Sequence, residues 1–446
     1  MRAGVRRLLV VAPTGSGKTV LAVRMLGGAV SKGMRALFIV HRRELVKQSV
    51  EAFNAGGVPC GTISAGFPYQ PGLPVYVASI QTMIRRLHTL GDVNLCIWDE
   101  AHHLSASSWH RAFSYLKDSW HIGLSATPAR TDRKGLNRYF DEMVMGPSVH
   151  ELIDLGFLSQ YDYYSVDLNI SLDNIKMIAG DYSKPALSEL MDQPTITNRA
   201  VDEYIRLADG KKFLVFAVSV QHSNHIVEQF LSHGITAKHV DANTHQNERD
   251  EAIKALSEGR INILSNVGLF GEGVDLPSLD GISILRPTMS LSLYLQMCGR
   301  CLRPYPGKKK AIIIDHVKNV YKHNYPCADR RKKWSLEEDK IKPKAPSIII
   351  CGNCCLAVSP GVFKCPQCGE VVSPGVSEEK KEREMVPEVE GEIVKLDPKH
   401  QKINRLREQA DAEDYESLVK LGQRRGYKKP KRWAMHLMRA RNAKKS

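Results

Sequence analysis

Residues 8–19 constrain this chain more than any other stretch. Leu8-Leu9-Val10-Val11 is an apolar run of strand length. It leads directly into Ala12-Pro13-Thr14-Gly15-Ser16-Gly17-Lys18-Thr19, after which a stretch of helical length begins. A strand, a glycine-bearing turn and a helix in that order are what a phosphate-binding loop requires. Gly15 and Gly17 let backbone N–H groups of the loop turn toward an anion, and the helix N-terminus adds a favourable dipole. Lys18 is placed to meet β and γ phosphates, and the Thr19 hydroxyl to hold Mg²⁺. The first loop position is Ala12 rather than glycine.

The rest of the chain repeats the same grammar. Apolar runs at 8–12, 36–40, 75–79, 95–99 and 121–126 alternate with stretches of helical length, and a second series follows at 213–218, 237–240, 261–266, 282–287 and 311–316. Continuous apolar strands separated by helices predict parallel sheets covered on both faces. The length of 446 residues fits about three domains. An apolar share of 43% is ample for real cores and excludes wholesale disorder. We expect a first α/β domain at 1–150, a connector at 151–205 that opens with Tyr161, Tyr163 and Tyr164, and a second α/β domain at 206–320. A four-cysteine module at 345–372, a flexible linker at 373–399 and a basic helical segment at 400–446 would follow. No apolar run reaches the roughly 18 residues of a membrane span. The apolar start is cut by the polar loop at 13–18, so no secretion signal is read, and a reducing cytoplasm is expected.

Three further constellations carry chemistry. Leu95-Cys96-Ile97-Trp98 runs into Asp99 and Glu100, so two adjacent acids end a buried strand. That arrangement is costly unless cations sit there. Asp99 would hold the Mg²⁺ shell, and Glu100 would orient or deprotonate an attacking water. In the second series, Gln296, Gly299, Arg300 and Arg303 form Q-x-x-G-R-x-x-R on a predicted helix, where residues three apart share a face. Two guanidiniums facing the first domain could neutralise a transferring phosphoryl group; the same residues could equally form a basic surface helix. Cys351-x-x-Cys354 and Cys365-x-x-Cys368 have the spacing of two zinc knuckles, with Cys355 a spare. Cys298 and Cys301 lack a second pair and are read as coincidence. The formal charge is +15, and from Arg424 onward there are ten Lys or Arg and no acid, interleaved with Tyr427 and Trp433. Such a tail could grip phosphates and stack a base, or simply be a solvated helix.

In order, the chain carries APTGSGKT (12–19), HRREL (41–45), SIQT (79–82), DEAH (99–102), SAT (125–127), FAVSVQHS (216–223), GEGVDLP (271–277) and QMCGRCLR (296–303). This series resembles the superfamily-two helicases of the DEAD/DEAH type. The stretch 282–304, with cysteines behind it, is particularly similar to the RadD-like bacterial DNA-repair helicases and their phage relatives. The resemblance implies two RecA-like domains with ATP in their cleft and nucleic acid across them. By position it implies that Ser125 and Thr127 couple the ATP state to the nucleic acid and that Asp275 touches the nucleotide side. It also implies that Arg42, Ser79, Thr82 and Asn266 lie near a sugar-phosphate backbone. His102 fits the coupling position, or is an ordinary turn histidine. Family members carry an N-terminal helix with an adenine-reading glutamine, for which the eleven residues before Ala12 leave no room.

The function expected is an ATP-dependent DNA helicase or translocase using ATP, Mg²⁺ and Zn²⁺, with DNA favoured over RNA and no membrane partner. Its settings would be repair, recombination or phage replication, in the cytoplasm of a bacterium or a phage-infected host cell. The alternatives are a nucleotide-gated DNA-binding module with little hydrolysis, the motor subunit of a restriction system, and an RNA helicase. Residues 373–446 show no nuclease constellation that would favour the restriction system.

Overall fold

The computed structural model describes residues 4–128, 135–166, 170–172, 175–178, 180–270, 276, 279–328, 334–337, 348–359, 362–372, 412, 414–424, 430, 431, 434, 435 and 438. The chain divides into two compact units, Met1–Gly375 and Val376–Ser446.

The first unit opens with β1 (Arg7–Val11), β2 (Ala36–Val40), β3 (Cys60–Ile63), β4 (Val75–Ser79), β5 (Leu95–Asp99), β6 (Trp120–Ser125) and β7 (Glu142–Met145). They form one parallel sheet in the order β3-β4-β2-β5-β6-β1-β7. The period of two is visible in the core. Leu37 and Ile39 of β2 join one apolar layer with Trp98, Trp109 and Phe140. Phe38 and Val40 join the opposite layer, where the helices Lys18–Val30 and Arg43–Ala55 pack. The two strands absent from the sequence reading, β3 and β7, are the sheet's edges. Their sequences, CGTI and EMVM, lack the continuous apolar run of a central strand.

The second sheet is built from β8 (Tyr161–Ser165), β11 (Phe213–Phe216), β12 (Ala237–Val240), β13 (Ile263–Asn266), β14 (Gly281–Ile284) and β15 (Ala311–Asp315). Between β8 and β11 lies a hairpin of β9 (Met177–Ile178) and β10 (Asp181–Tyr182). The parallel order is β12-β13-β11-β14-β15-β8. β8 therefore places part of the expected connector, 151–205, inside the second domain. Its tyrosines are core: Tyr163 donates to Asp315 at 2.8 Å. The helix Pro194–Ala208, from the same segment, buries Ile196, Val201 and Tyr204 in the same layer.

The cysteine module, with short strands β16 (Ile349–Ile350) and β17 (Ala357–Val358), docks on β8. Leu356 bridges Tyr164, and the Ser165 N–H donates to the Cys355 carbonyl at 3.0 Å. In the second unit, the helix Tyr415–Arg424 buries Leu418 and Leu421 against Ala412 and Ala434. The expected linker at 373–399 lies outside the described residues, as do Tyr427 and Trp433. Among the described residues no helix is long and apolar enough to cross a membrane.

Buried histidines make the first unit acid-sensitive. His121 accepts from Trp98 Nε1 at 3.0 Å and donates its other ring nitrogen to the Leu116 carbonyl at 3.0 Å. A second proton would face the indole N–H, and burial lowers its pKa to about 4. Burial also holds His222 at about 4 and His316 at about 3. Each folded pKa is below the unfolded value of 6.5, so the stability these groups contribute is complete above pH 6.5 and is lost as pH falls toward 4. Urea unfolding at pH 7 and pH 5 should show a loss on the order of 1–2 kcal/mol per histidine, and equal stability at both would contradict this account.

Candidate functional site

The loop after β1 is built as an anion cradle. Gly15 and Gly17 hold φ of +83° and +81°, conformations that glycine adopts without a Cβ clash. Lys18 opens the helix and folds back, its Nζ donating to the Ala12 and Pro13 carbonyls at 3.1 and 3.3 Å. Thr14 Oγ1 and Ser16 Oγ are buried, with no hydrogen-bond partner among the described residues. Buried hydroxyls of this kind carry a desolvation cost that a phosphate oxygen would relieve. Thr19 is exposed one step along the helix.

The acid pair stands at the C-terminal end of β5, two strands from β1. Burial, then the neighbouring Glu100 charge, push Asp99 up to about 7, while Lys18 and His41 pull the other way. A divalent cation would remove that penalty, so the donor set fits Mg²⁺. Glu100 sits at φ 49°, ψ 54°, a left-handed backbone unusual for a side chain of its size, and is buried. This turn aims successive side chains differently. His102 Nδ1 lies 3.4 Å from Glu100 Oε2 and 3.3 Å from Ser125 Oγ. Ser125 Oγ in turn donates to the Thr127 carbonyl at 2.6 Å. The expected coupling residues His102, Ser125 and Thr127 therefore form one chain of contacts with Glu100.

The two sheets meet at this loop. A Cβ on Gly299 would come within 2.6 Å of Thr14 Cβ. Only glycine lets the end of the helix Leu291–Gly299 approach so closely. A Cβ on Gly15 would lie 4.0 Å from Arg303 Cγ and 3.0 Å from Leu158. Gln296 and Arg300 are buried on the same element. Burial holds the Arg303 guanidinium below its ordinary value, a cost that an incoming phosphate would offset. Cys298 and Cys301 are buried in the core of the second domain, with Cys301 Sγ donating to the Cys298 carbonyl.

The residues expected near a polymer make contacts within the protein in this conformation. Arg42 spans the domains, donating to the Gly268 and Leu269 carbonyls at 3.1 and 3.4 Å. Ser79 Oγ donates to Thr82 Oγ1 at 3.1 Å, and the same Thr82 oxygen accepts from the Ala65 N–H, so both shape a turn. Asn266 is fully buried; its amide donates to the Val215 carbonyl at 2.8 Å and accepts from the Phe270 N–H at 3.3 Å. In this conformation its two polar atoms serve β11 and the turn at 266–270. Asp275 lies outside the described residues. The sequence reading missed the tie between Thr14 and Gly299. It also missed Gln81, which donates to the His41 carbonyl, and His103, whose ring centroid lies 5.0 Å from that of His41. The adjacent motif residues Arg42 and His102 were the available signal.

Cys351, Cys354, Cys365 and Cys368 place their sulfurs within 4.8 Å of one another, with Cys351–Cys368 at 3.6 Å and Cys354–Cys365 at 3.5 Å. Tetrahedral Zn²⁺ with bonds of about 2.3 Å requires sulfurs about 3.8 Å apart, so this donor set fits the ion. Cys355 turns away through a left-handed φ of 62°.

Residues 1–130 match the family described as "Type III restriction enzyme, res subunit", and 197–305 match "Helicase conserved C-terminal domain". A 51.5 kDa protein of a Lactococcus phage is 35% identical over 326 residues, covering 73% of this chain and 68% of the phage protein. The chain belongs to the superfamily-two helicases. It has two parallel-sheet α/β domains, the architecture of RecA-fold helicases. The Saccharomyces cerevisiae protein named "Putative ATP-dependent helicase IRC3" is 32% identical over 346 residues, covering 71% of this chain and 49% of the yeast protein, so the chain spans about half that relative. A fragment of an HsdR subunit of a type I restriction enzyme from Vibrio vulnificus shares the fold. It does so at a TM-score of 0.58 and 23% identity, covering 74% of this chain and 63% of that one.

Proposed function

We propose that this helicase is an ATP-driven motor on DNA, working in the cytoplasm in DNA repair, recombination or phage replication. The observation that carries the reading is the seam itself: the loop 13–19 and the Gln296–Arg303 element meet across it, Thr14 against Gly299 and Gly15 beside Arg303. ATP is the substrate. Pro13 to Thr19 would cradle its phosphates, and Thr19 and Asp99 would hold Mg²⁺, which neutralises phosphate charge when bound. Glu100 would orient and deprotonate water, Arg300 and Arg303 would offset charge on the transferring group, and Gln296 would help position them. His102, Ser125 and Thr127 would link that event to the nucleic-acid surface. Arg42, Ser79, Thr82 and Asn266 would act from the turns that border that surface, and Asp275 would touch the nucleotide side.

DNA is preferred over RNA because residues 1–130 match a restriction-enzyme subunit, an enzyme class that acts on DNA. The same match favours the restriction motor as a second reading. The test is ATP hydrolysis with and without single-stranded DNA and RNA. Stimulation by DNA, abolished in Lys18→Ala, is expected, and an absence of stimulation by either polymer would sink the motor reading. Zn²⁺ would serve as a structural clamp, supplying folding energy that so small a module lacks. About one zinc per chain is expected by elemental analysis, lost in a Cys365→Ser/Cys368→Ser variant. A metal-free chain with the module still folded would refute the assignment.

A further inference from the structure

Between the second α/β domain and the cysteine module, the chain crosses to the first domain and comes back. It is anchored in the second domain as far as Ala328. The Cys327 N–H donates to the Tyr161 hydroxyl at 3.3 Å, and that hydroxyl donates to Cys327 Sγ at 2.8 Å. The Ala328 N–H donates to the Tyr325 carbonyl at 3.1 Å. By Ile348 the chain packs on the second domain's apolar layer again. In between, residues 334–337 lie on the first domain. Trp334 and Leu336 pack against the layer that holds Leu136, Tyr139 and Phe140. The Leu336 carbonyl accepts from the Leu136 and Asn137 N–H groups at 2.7 and 2.9 Å. Those amides open a turn that the Tyr139 and Phe140 N–H groups close on the Leu136 carbonyl. Gly135 permits the approach, since a Cβ there would collide with the Leu336 carbonyl oxygen.

This crossing reaches the seam where the phosphate loop meets the arginine element. Trp334 lines one cavity with Pro13 and Thr14 of the loop, Gly299 and Leu302 of the arginine element, and Ala328. The contact of Thr14 with Gly299 and the docking of 334–337 therefore coexist in this structure. Parting the two domains would move the anchor at Ala328 away from the one at Trp334. Six chain steps join them, and an extended chain spans about 3.5 Å per step, so the docked segment allows a separation of at most about 20 Å. Further opening costs both hydrogen bonds at Leu336 and the burial of Trp334 and Leu336. A segment that docks when the seam is together and must let go when it opens raises the population of the assembled state. The apparent affinity for a ligand bound by that state rises with it.

We propose that residues 334–337 are an interdomain arm, with Trp334 and Leu336 as positioning residues that keep the two α/β domains assembled for ATP. This rests on the reading of the seam as the ATP site and adds what holds that site together. The test uses the full chain and three measurements: hydrogen exchange at the Leu136 and Asn137 amides, steady-state ATPase kinetics on single-stranded DNA, and an equilibrium ATP titration. For Trp334→Ala/Leu336→Ala, faster exchange at both amides, an ATP KM raised about tenfold and kcat within about twofold of the parent are expected. Trp334→Phe should stay close to the parent. Gly135→Ala displaces the arm from the opposite side; it should behave like the double variant, and it carries the test if that variant fails to fold. Unprotected amides in the parent, an unchanged KM in a variant whose amides exchange faster, or a fall in kcat at unchanged KM would each overturn the arm. A parent chain that binds ATP without stimulation by DNA or RNA would instead overturn the motor reading. The arm would then be decided by the ATP titration, where binding about tenfold weaker in the variants supports it and equal binding overturns it.

Discussion

Arg303→Ala is expected to lower the DNA-stimulated ATPase rate by about 10³–10⁵-fold while leaving nucleotide binding largely intact. The reason is positional. Arg303 belongs to the second domain, yet its side chain lies beside Gly15 of the phosphate loop. A guanidinium at that point contributes most when charge builds on the transferring phosphoryl group, and less to ground-state binding. Steady-state kinetics with a nucleotide-binding titration separate the two. A variant with normal turnover would mean that Arg303 merely packs the seam. Arg303→Lys should recover only part of the rate, because a point charge does not reproduce the planar fork.

Glu100→Gln is expected to lower turnover by about 10²–10⁴-fold with ATP affinity kept, since an amide preserves shape and hydrogen bonding but cannot take a proton. The strained backbone at Glu100 and its link to His102 hold the carboxylate at the mouth of β5. This variant should also trap the chain on DNA in the presence of ATP, read as slower dissociation. Near-normal turnover in Glu100→Gln would remove Glu100 from the chemistry and leave its strain unexplained.

Some of this was legible in the residues because it is local. A loop that turns on Gly15 and Gly17, a strand that must be apolar on both faces and a C-x-x-C turn each encode their geometry within a few positions. So ATP chemistry, two parallel-sheet domains and a four-sulfur cluster could be read from motifs and periodicity. The edge strands β3 and β7 escaped because an edge does not demand a continuous apolar run, and β8 escaped because a tyrosine-rich strand resembles a surface segment until Tyr163 donates its hydrogen bond to Asp315.

What the sequence by itself determined is an inventory: a glycine-bearing loop, an acid pair, two arginines and four cysteines, each with its immediate backbone. Only the tertiary structure decided which of these meet. Gly299 seats on Thr14, Arg42 reaches Gly268, Asn266 turns inward, and Asp181 of a short hairpin accepts from Thr288. Those contacts join residues more than a hundred positions apart, or depend on which of two hydrogen-bond partners wins. Neither spacing nor periodicity records the closure of the chain that settles them.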